Sequence, residues 1–409
     1  MASAGIQRRW AALGAAVLLC ALALPVAPAY ADQSAHDSGE QVAPGMTYRS
    51  FQLSTAHGPV VAYLLTVDLS NPKVELDLLH PPVVAARDEV HDMTNAQRAV
   101  AGVNGDFFHL SESHEGVAAT GSSVGPEIAD GEDLKAAVPN GQRFGPALPD
   151  GTATKDVFGL GTDRRARVSS VALAGTVRSA KGTTALAGLN QYAVPVDGIG
   201  LYTSEWGEVA RARAVCGTDA DRSAPCTTDT EEVVIRNGVV SAEQDQPGSG
   251  AIPGDTVVLV GREKGAAELE KLNPGDRVVV DSRLEAADAP PLEFAVGGFP
   301  ILRGGTPLPG LDAGALAPRT SAGVSSDGRT VYLLAVDGRS AASTGMSVLE
   351  LADLLRSLGA ADGVNLDGGG SSTMAVRDPG QPSAVVKNVP SDGAPRAVAN
   401  GIGVFSVAR

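Results

Sequence analysis

The sequence predicts a strand-rich fold with few helices, and three observations support this. From Met46 onwards, short apolar runs alternate with Gly, Pro, Asp and Asn, residues that end strands and form tight turns. The run KVELDLL places Val74, Leu76 and Leu78 on one face of an extended chain, as a half-buried strand requires. One helix is clear, in the segment SVLELADLLRSLGA.

The N-terminal region has the features of a secretory signal. Two arginines precede an apolar run over residues 11–24, and Ala-Tyr-Ala at 29–31 has the form of a cleavage site. A retained membrane anchor is the alternative, but the run is short beside the roughly 20 residues that span a bilayer. We therefore predict a secreted protein without a membrane anchor, with a signal peptide (1–31), a disordered polar leader (32–45) and a folded domain (46–409).

Composition excludes some partners. The 409 residues carry a net charge of −15, so the surface repels phosphate backbones and nucleic acid is not expected to bind. An anionic substrate requires a local cluster of arginines. Two cysteines lie outside the signal, Cys216 and Cys226, and in an exported chain such a close pair predicts a disulfide. Zinc binding is the alternative, although two ligands alone are too few.

Three apolar strands end in Asn or Asp followed by Gly. AVAGVNGD leads to Asn104 and Asp106, YLLAVDGR leads to Asp337 and Arg339, and GVNLDG leads to Asp367. Turn chemistry explains a single ending of this kind. Because three such endings carry further polar groups, we expect them to form a shared rim.

The clear helix connects two of these strands. Ser347 and Glu350 have the spacing of a capping box, and Gly359 is placed to end the helix. A helical connection places the strand before Asp337 and the strand before Asp367 in one sheet, and we expect them to be adjacent and parallel.

The middle of the domain, residues 150–293, is predicted to be a β-rich variable segment. EEVVIRNGVV indicates a hairpin about Asn237-Gly238, and GDTVVLVG and GDRVVVD indicate two further strands with a short helix between them. No catalytic constellation occurs there. We interpret this segment as scaffold or as a wall of the cleft.

The stretch GVNLDGGGSSTM is the strongest candidate for a site. The amides of Gly368, Gly369 and Gly370 are free of Cβ atoms and can converge on an anion, and Ser371 and Ser372 add hydroxyl donors. A flexible linker is the alternative, but a linker would be polar throughout, whereas apolar residues flank this one. The nucleotide-binding pattern GxxxxGK[ST] is absent.

Candidate acids and bases lie at the strand ends. Asp337 and Asp367 are candidates for the paired carboxylates of a glycosidase. Asp106 is either the second carboxylate or a metal ligand. The alternative for all three is a turn aspartate.

Cationic candidates are three arginines, Arg319, Arg339 and Arg396, which would clamp a phosphate bidentately. Each one taken alone has the alternative of a surface or ion-paired arginine.

The histidines near the first rim strand do not define a metal site. His109 and His114 lie close to Glu112 and Glu115, but the spacing fits no standard zinc motif. Calcium, held by oxygen ligands, is left open, and no metal ligand is assigned.

The motifs resemble a known family. GVNGDFF, GGFPIL, RTSAGVSSDG, LLAVDGRS, SVLELADLLRSLGA, GVNLDGGGSSTM and RAVANGIGVF occur in the order seen in the phosphodiester glycosidase family. The resemblance covers residues 46–409 and is densest over 296–409. It implies an α+β fold, with a strand-rich mixed sheet core, a few flanking helices and the β-rich insert. It also implies hydrolysis of the bond between C1 of an N-acetylhexosamine-type sugar and phosphate.

The resemblance also carries over site residues. Transferred motif by motif, it implies a site made of Asn104, Asp106, Arg319, Thr320, Asp337, Arg339, Asn365, Asp367, Gly368, Gly369, Gly370, Ser371, Ser372 and Arg396. Phe299 departs from the pattern, because a small residue is expected before Pro300, and its ring is expected to narrow the cleft. The sequence does not choose between Asp367 and Asp337 as the nucleophile or base.

The expected function is therefore a secreted hydrolase of sugar-1-phosphodiesters in extracellular glycopolymers or glycans. One alternative is a phosphodiesterase that cuts the P–O bond of wall or exopolysaccharide phosphodiesters. Another is a wall module that binds sugar phosphates without turnover, which the intact Asp106, Asp337 and Asp367 disfavour. The sugar, the aglycone and the oligomeric state are left open.

Overall fold

The computed structural model describes residues 1–2, 39–287 and 290–406. Apart from Met1 and Ala2, the predicted signal peptide lies outside these residues. No helix among the described residues is long and apolar enough to cross a membrane.

The described residues form 25 strands and three α-helices, so the strand-rich expectation is confirmed. The first strands are β1 (Glu40–Ala43), β2 (Met46–Thr55), β3 (Gly58–Asp68), β4 (Val74–Leu79), β5 (Ala101–Asn104), β6 (Glu127–Ala129), β7 (Glu132–Lys135), β8 (Asp156–Gly161), β9 (Ala166–Ser179), β10 (Gly182–Ala185), β11 (Gly188–Leu189) and β12 (Ile199–Tyr202). The remaining strands are β13 (Thr230–Arg236), β14 (Val239–Gln244), β15 (Thr256–Arg262), β16 (Val278–Ala286), β17 (Leu292–Gly297), β18 (Phe299–Arg303), β19 (Thr306–Pro307), β20 (Arg319–Val324), β21 (Thr330–Val336), β22 (Asp362–Asn365), β23 (Met374–Val376), β24 (Val385–Val386) and β25 (Gly401–Ser406). The helices are α1 (Val90–Ala96), α2 (Lys264–Leu269) and α3 (Val348–Leu358).

The largest sheet has eight strands in the order β1-β2-β3-β21-β20-β22-β18-β19, and every pairing in it is antiparallel. The strands before Asp337 and Asp367, β21 and β22, share this sheet as expected. They run in the same direction, but the expectation that they are adjacent is wrong. Strands β20 and β21 are consecutive in the chain and pair with each other. The α3 connection then passes over β20 and places β22 on the far side of β20.

Helix α3 has the predicted ends. The Ser347 hydroxyl accepts a hydrogen bond from the Glu350 N–H, and the Glu350 carboxylate accepts one from the Ser347 N–H. Gly359 ends the helix with φ at 106°. The apolar stripe packs on the sheet at Leu355, which lies over Gly363 of β22 and the neighbouring strand β20. Burying such a leucine contributes about 1.5–3 kcal/mol.

A second sheet, β24-β23-β5-β25-β4, delivers Asn104 at the end of β5. The predicted strand within KVELDLL is β4, at the edge of this sheet, and Val74, Leu76 and Leu78 are buried.

The middle segment is strand-rich, as expected. Two sheets contain its strands, β10-β9-β8-β17-β6-β7, with β16 on β9, and β11-β12-β15-β13-β14. The predicted hairpin is β13–β14, with φ at 49° for Asn237 and 73° for Gly238, the conformation that Asn-Gly hairpin turns favour. Cys216 and Cys226 form the predicted disulfide, with an S–S distance of 1.98 Å.

The predicted leader extends too far into the domain. Strand β1 pairs with β2 from Glu40 to Ala43, so the expectation of disorder up to residue 45 is wrong for these four residues. Val42 is buried against the core, which explains why this short polar stretch is ordered. Residues 32–38 lie outside the described residues.

Candidate active site

One buried amide holds three of the predicted rim segments together. The side-chain N–H of Asn104 donates to the carbonyl of Asp367 at 2.6 Å. Its Oδ1 accepts from the Thr320 hydroxyl at 2.7 Å and from the Thr373 N–H at 3.0 Å. Asn104 and Thr320 are both fully buried. The strand ends that carry Asn104 and Asp367 are thus joined, and the side chains of Asn104 and Thr320 bond within the protein. The contact with substrate that the family resemblance implied for them stays a prediction.

Asp106 is a buried carboxylate on the same rim. Its Oδ1 accepts the Phe107 N–H at 2.8 Å and its Oδ2 accepts the Gly125 N–H at 2.5 Å. A side chain at position 297 would collide with the carboxylate, so Gly297 is required there. Burial raises the pKa of Asp106 to about 6, although the two N–H donors and the charge of Lys135 act in the opposite direction.

Asp367 is only half-buried, and it is electrostatically coupled to Asp106. Its backbone N–H donates to the carbonyl of Gly105 at 2.9 Å, and its Oδ1 accepts the Gly368 N–H at 2.9 Å. Removal from bulk water raises the pKa of Asp367 to about 7. Hydrogen bonds from Ser371 and Gly368 oppose this rise, while the charge of Asp106 adds to it. Burial, rather than the charge of Asp106, is therefore the main cause of the raised pKa of Asp367.

Asp337 has a different environment. The Tyr63 hydroxyl donates to its Oδ2 at 2.8 Å, and the Val389 N–H donates to its Oδ1 at 3.0 Å. Burial raises the pKa of Asp337, against the hydrogen bonds of Tyr63, Val389 and Asn388. No other carboxylate contributes to this shift. Of the two partners expected for Asp367, Asp106 is the one whose charge acts on it, and the choice of the second catalytic carboxylate stays a prediction.

The glycine loop does not present its amides as predicted. The N–H groups of Gly368 and Gly369 donate to Asp367 Oδ1 and to the Pro318 carbonyl, both at 2.9 Å. Those of Ser371 and Ser372 donate back into the loop, which forms a 3₁₀ turn over Gly369–Ser371. Four of the five amides from 368 to 372 are thus already paired, so the expected amide cradle is wrong for these four.

The glycines instead make room for two arginines. Gly369 has φ at 61°, and a Cβ there would lie 3.1 Å from the guanidinium of Arg339. A Cβ at Gly370 would collide with the carboxylate of Asp392 and the guanidinium of Arg396. Arg339 is exposed, and Arg396 Nη1 lies 3.3 Å from the Ser371 hydroxyl. The guanidinium groups of Arg339 and Arg396 therefore lie against this loop, together with the Asp392 carboxylate, which forms an ion pair with Arg396.

Arg319 is more constrained than the other two arginines. Its Nε donates to the Met346 carbonyl at 2.8 Å and its Nη2 to the Ala315 carbonyl at 2.6 Å. Burial lowers its pKa, and the nearby charge of Arg339 adds to the effect. Two of its five N–H donors are engaged by the backbone, and the expected bidentate contact of Arg319 with phosphate stays a prediction.

Several buried polar atoms behind the loop have no hydrogen-bond partner within the described residues. They belong to Asn365 on β22, Ser321 opposite it on β20, and Ser372 and Thr373 just after the loop. Such atoms cost about 1–3 kcal/mol each when left unpaired, and they concentrate at functional sites. Asn365 does donate to the Leu366 carbonyl at 2.9 Å, so only its oxygen lacks a partner.

The histidine cluster is an ion-pair network. His109 Nε2 lies 2.9 Å from Glu112, and Glu112 also pairs with the guanidinium of Arg213. Burial lowers the pKa of His109 to about 4. Glu115 is exposed outside the network. A guanidinium thus occupies the position a metal would take, and these residues do not fit zinc. Calcium at the rim stays a prediction.

Sequence reasoning missed several residues of this region. Tyr63 contacts Asp337 from a strand about 270 residues earlier in the chain. Asn400 accepts the Asp106 N–H at 2.9 Å and donates to Glu127 at 2.7 Å. Lys135 is fully buried, and its ammonium donates to the Gly125 carbonyl at 2.7 Å. None of these contacts has a local sequence signal, although Asn400 lies within the motif RAVANGIGVF.

Phe299 does not project into a cleft. It is buried and stacks on Phe107 with ring centroids 5.8 Å apart. The guanidinium of Arg143 lies 5.8 Å from its ring, and the charge of Asp106 acts on Arg143 as well. The aromatic pair therefore connects the Asp106 side of the rim to Arg143.

This chain is similar to known proteins in sequence and in structure. A sequence model described as phosphodiester glycosidase matches residues 229–405. The resemblance to the phosphodiester glycosidases is thereby confirmed over this segment. The phosphodiester glycosidase segment contains Arg319, Asp337, Asp367 and Arg396, whereas Asp106 precedes it. A search of the curated proteins finds no match.

Solved structures support the fold. A hypothetical protein from Synechocystis has a TM-score of 0.67 and 19% identity over 89% of this chain, which spans only 62% of that protein's length. A protein of Burkholderia pseudomallei K96243, described as exported, has a TM-score of 0.64 and 26% identity over 85% of this chain and 74% of its own. The zebrafish N-acetylglucosamine-1-phosphodiester alpha-N-acetylglucosaminidase catalytic domain, auto-inhibited by its pro-peptide, aligns with a TM-score of 0.43 and 14% identity, covering 90% and 86% of the two chains.

Proposed function

We propose that this protein hydrolyses the bond between C1 and the phosphate oxygen of an N-acetylhexosamine-type sugar-1-phosphodiester. The observation that carries the proposal is the pair of neighbouring carboxylates Asp106 and Asp367, whose pKa values burial raises to about 6 and about 7. They lie beside the guanidinium groups of Arg339 and of Arg396, which is paired with Asp392. Carboxylates with raised pKa values are suited to proton transfer near neutral pH.

Asp367 is the residue we assign to the reacting carbon. It is half-buried, whereas the other two candidate aspartates, Asp106 and Asp337, are only 3% and 5% exposed. Its carboxylate acts either as a base that takes a proton from the attacking water or as a nucleophile at C1. In both cases the C1–O bond breaks, and its electron pair leaves on the phosphate. Asp106 acts through Asp367, because its charge raises the pKa of that carboxyl group.

The arginines have a separate role. A phosphomonoester is a weak base and needs little protonation as it leaves, so its charge can be stabilised by positioned cations. Arg339 and Arg396 are the candidates, because both lie against the glycine loop next to Asp367. Arg319 is held in place by hydrogen bonds to the Met346 and Ala315 carbonyls, and it is a third candidate for the phosphate.

The test is release of free sugar. Purified protein and the variant Asp367→Asn are incubated with UDP-N-acetylglucosamine and with an alkyl phosphodiester of N-acetylglucosamine-1-phosphate, with added calcium or with chelator. Free N-acetylglucosamine from the wild type and none from the variant supports the proposal. Equal release by both proteins removes Asp367 from the chemistry.

A phosphodiesterase that cuts the P–O bond is the second candidate, because the same arginines would hold the phosphate for either reaction. Hydrolysis in ¹⁸O-labelled water separates the two. Label in the sugar indicates glycosidic cleavage, and label in the phosphate indicates P–O cleavage. A wall module without turnover would bind the sugar phosphate and release neither product.

We also propose that the protein acts outside the cell on glycans or wall polymers. The N-terminal signal pattern, the Cys216–Cys226 disulfide and the similarity to a protein described as exported support this. Detection of the mature protein in culture medium, with its N-terminus near residue 32, tests the proposal.

A further inference from the structure

A second cluster of cations lies beside the disulfide, away from the glycine loop. A cavity of about 160 Å³ is lined by the segments 111–113 and 222–223, with Phe144 and Arg213 between them. This volume is well above what one water molecule needs. Neither the family motifs nor the proposed reaction uses this cavity.

The two walls of the cavity are fixed in place. Glu112 accepts the N–H groups of Ser113 at 2.6 Å and His114 at 3.0 Å, and it pairs with the buried guanidinium of Arg213. The His114 ring reaches across to the Ala224 carbonyl at 2.8 Å. The opposite wall belongs to the loop that the disulfide closes. The buried ion pair of Glu112 and Arg213 therefore fixes one side of the cavity, whereas the other polar lining residues are exposed: Ser111, Ser113, Arg222 and Ser223.

Arg222 supplies an uncompensated positive charge. Its Nη1 donates to the Arg143 carbonyl at 3.1 Å, and its guanidinium lies 4.2 Å from the centre of the Phe144 ring. Among the described residues, no carboxylate lies within ion-pair distance of it. The Arg213 charge is balanced by Glu112, so the lining has a net positive charge within a chain whose net charge is −15. Three serine hydroxyls complete the lining, from Ser111, Ser113 and Ser223.

The cavity is connected to the reaction site through one segment. The carbonyl of Arg143 accepts a hydrogen bond from the Arg222 guanidinium. The Arg143 side chain lies over the Phe107 and Phe299 rings. The charge of Asp106 also acts on the Arg143 guanidinium. Contacts through Arg143 therefore link the Asp106 side of the rim to the cavity. A cation with neighbouring hydroxyl donors is the usual recognition for a phosphate group.

We propose that this cavity is a subsite for a second phosphate of the substrate, on the aglycone side of the bond that is cut. The inference rests on the proposed function, because the subsite is placed relative to the bond that is cut. The subsite makes the preferred substrate a molecule with two phosphates. Such a molecule is either a nucleoside diphosphate sugar or a polymer with repeating phosphodiesters.

Direct binding tests the subsite without turnover. Titration calorimetry with inorganic phosphate at constant ionic strength compares wild type, Arg222→Gln, Arg339→Gln and Arg49→Gln. Arg49 is the matched control, because it also lies over an aromatic ring, Phe51, at 4.7 Å and has no ion pair among the described residues. We expect at least tenfold weaker phosphate binding at one class of sites in Arg222→Gln, and no change in Arg49→Gln. Unchanged binding in Arg222→Gln overturns the subsite.

Kinetics then identify the source of the phosphate. Wild type should have at least a tenfold lower KM for a substrate with a second phosphate than for the alkyl phosphodiester, and Arg222→Gln should lose this preference with kcat unchanged. A preference for the nucleoside diphosphate sugar or for a phosphodiester oligomer distinguishes the two sources. If no substrate is hydrolysed, the proposed function fails while the calorimetry still decides on the subsite. An equal preference in wild type and Arg222→Gln overturns the inference.

Discussion

Glu112 and Asp367 are both carboxylates removed from bulk water, and they titrate in opposite directions. Burial would raise the pKa of Glu112, but the N–H groups of His114 and Ser113 and the charge of Arg213 outweigh it and lower the pKa to about 2. Asp367 has fewer donors and a second carboxylate nearby, Asp106, and its pKa rises to about 7. The donors around a buried carboxylate, rather than its burial, decide whether it serves as an ion pair or as a base.

The difference between the two regions also separates stability from chemistry. The Glu112 carboxylate accepts two backbone N–H groups and lies against the His109 ring and the Arg213 guanidinium, and these contacts fix two loops. Around Asp367 the nearest cations, Arg339 and Arg396, are partly exposed, and buried polar atoms behind the loop have no partner within the described residues. Four predictions test this contrast.

The largest effect is expected from Asp367→Asn. If Asp367 is the base or nucleophile, kcat for release of free sugar should fall about 10³-fold, within the range for loss of a general base. The stability of the folded protein should not fall. The control is Asp150→Asn, an exposed aspartate on a distant loop. Activity within a few-fold of wild type would show that Asp367, like Glu112, has a structural role and no catalytic one.

Glu112→Gln should instead destabilise the fold while leaving the chemistry unchanged. It leaves the Arg213 guanidinium buried without its counter-charge, which costs about 3 kcal/mol in the free energy of unfolding. Because the folded pKa of Glu112 is below its unfolded value, its contribution is present above about pH 4.5 and is lost as the pH falls towards 2. Urea unfolding at pH 7 measures the loss, with the exposed neighbour variant Glu115→Gln as the control. A stability equal to wild type contradicts the structural role.

Asp367→Asn should have the opposite pH dependence of stability. The folded pKa of Asp367 is above its unfolded value, so its favourable contribution is present below about pH 3.8 and is lost as the pH rises through about 7. The variant should therefore gain about 3 kcal/mol relative to wild type between pH 4.5 and pH 8. Urea midpoints of both proteins at the two pH values measure this gain, and an unchanged difference would show that the pKa of Asp367 is not raised.

Tyr63→Phe is expected to have the smallest effect. It removes the hydrogen bond to Asp337 and should cost about 1 kcal/mol of stability. The kcat should fall less than tenfold, because Asp337 does not belong to the proposed pair of Asp106 and Asp367. Tyr332→Phe, a partly buried tyrosine elsewhere in the sheet, is the control. A loss of activity as large as that of Asp367→Asn would instead make Asp337 the reacting carboxylate.

Particular elements show how far sequence reasoning reached. The ends of α3, the Asn237-Gly238 hairpin and the disulfide depend on residues close together in the chain, and all three are confirmed. The glycine loop was recognised as part of the site, but the role predicted for its amides was wrong. Which acceptor an amide finds, such as the Pro318 carbonyl for Gly369, depends on a strand about 50 residues away.

By itself, the sequence determined the strand-rich class, the cap and stop of the long helix, the hairpin, the disulfide and the three strand ends that carry Asn or Asp. These follow from local periodicity and turn chemistry, which act over a few residues. Only the tertiary structure decided that Asp367 lies next to the Gly105–Asp106 segment, and that β20 lies between β21 and β22. The pKa of a carboxylate and the neighbour of a strand are set by groups distant in sequence, and no local pattern encodes them.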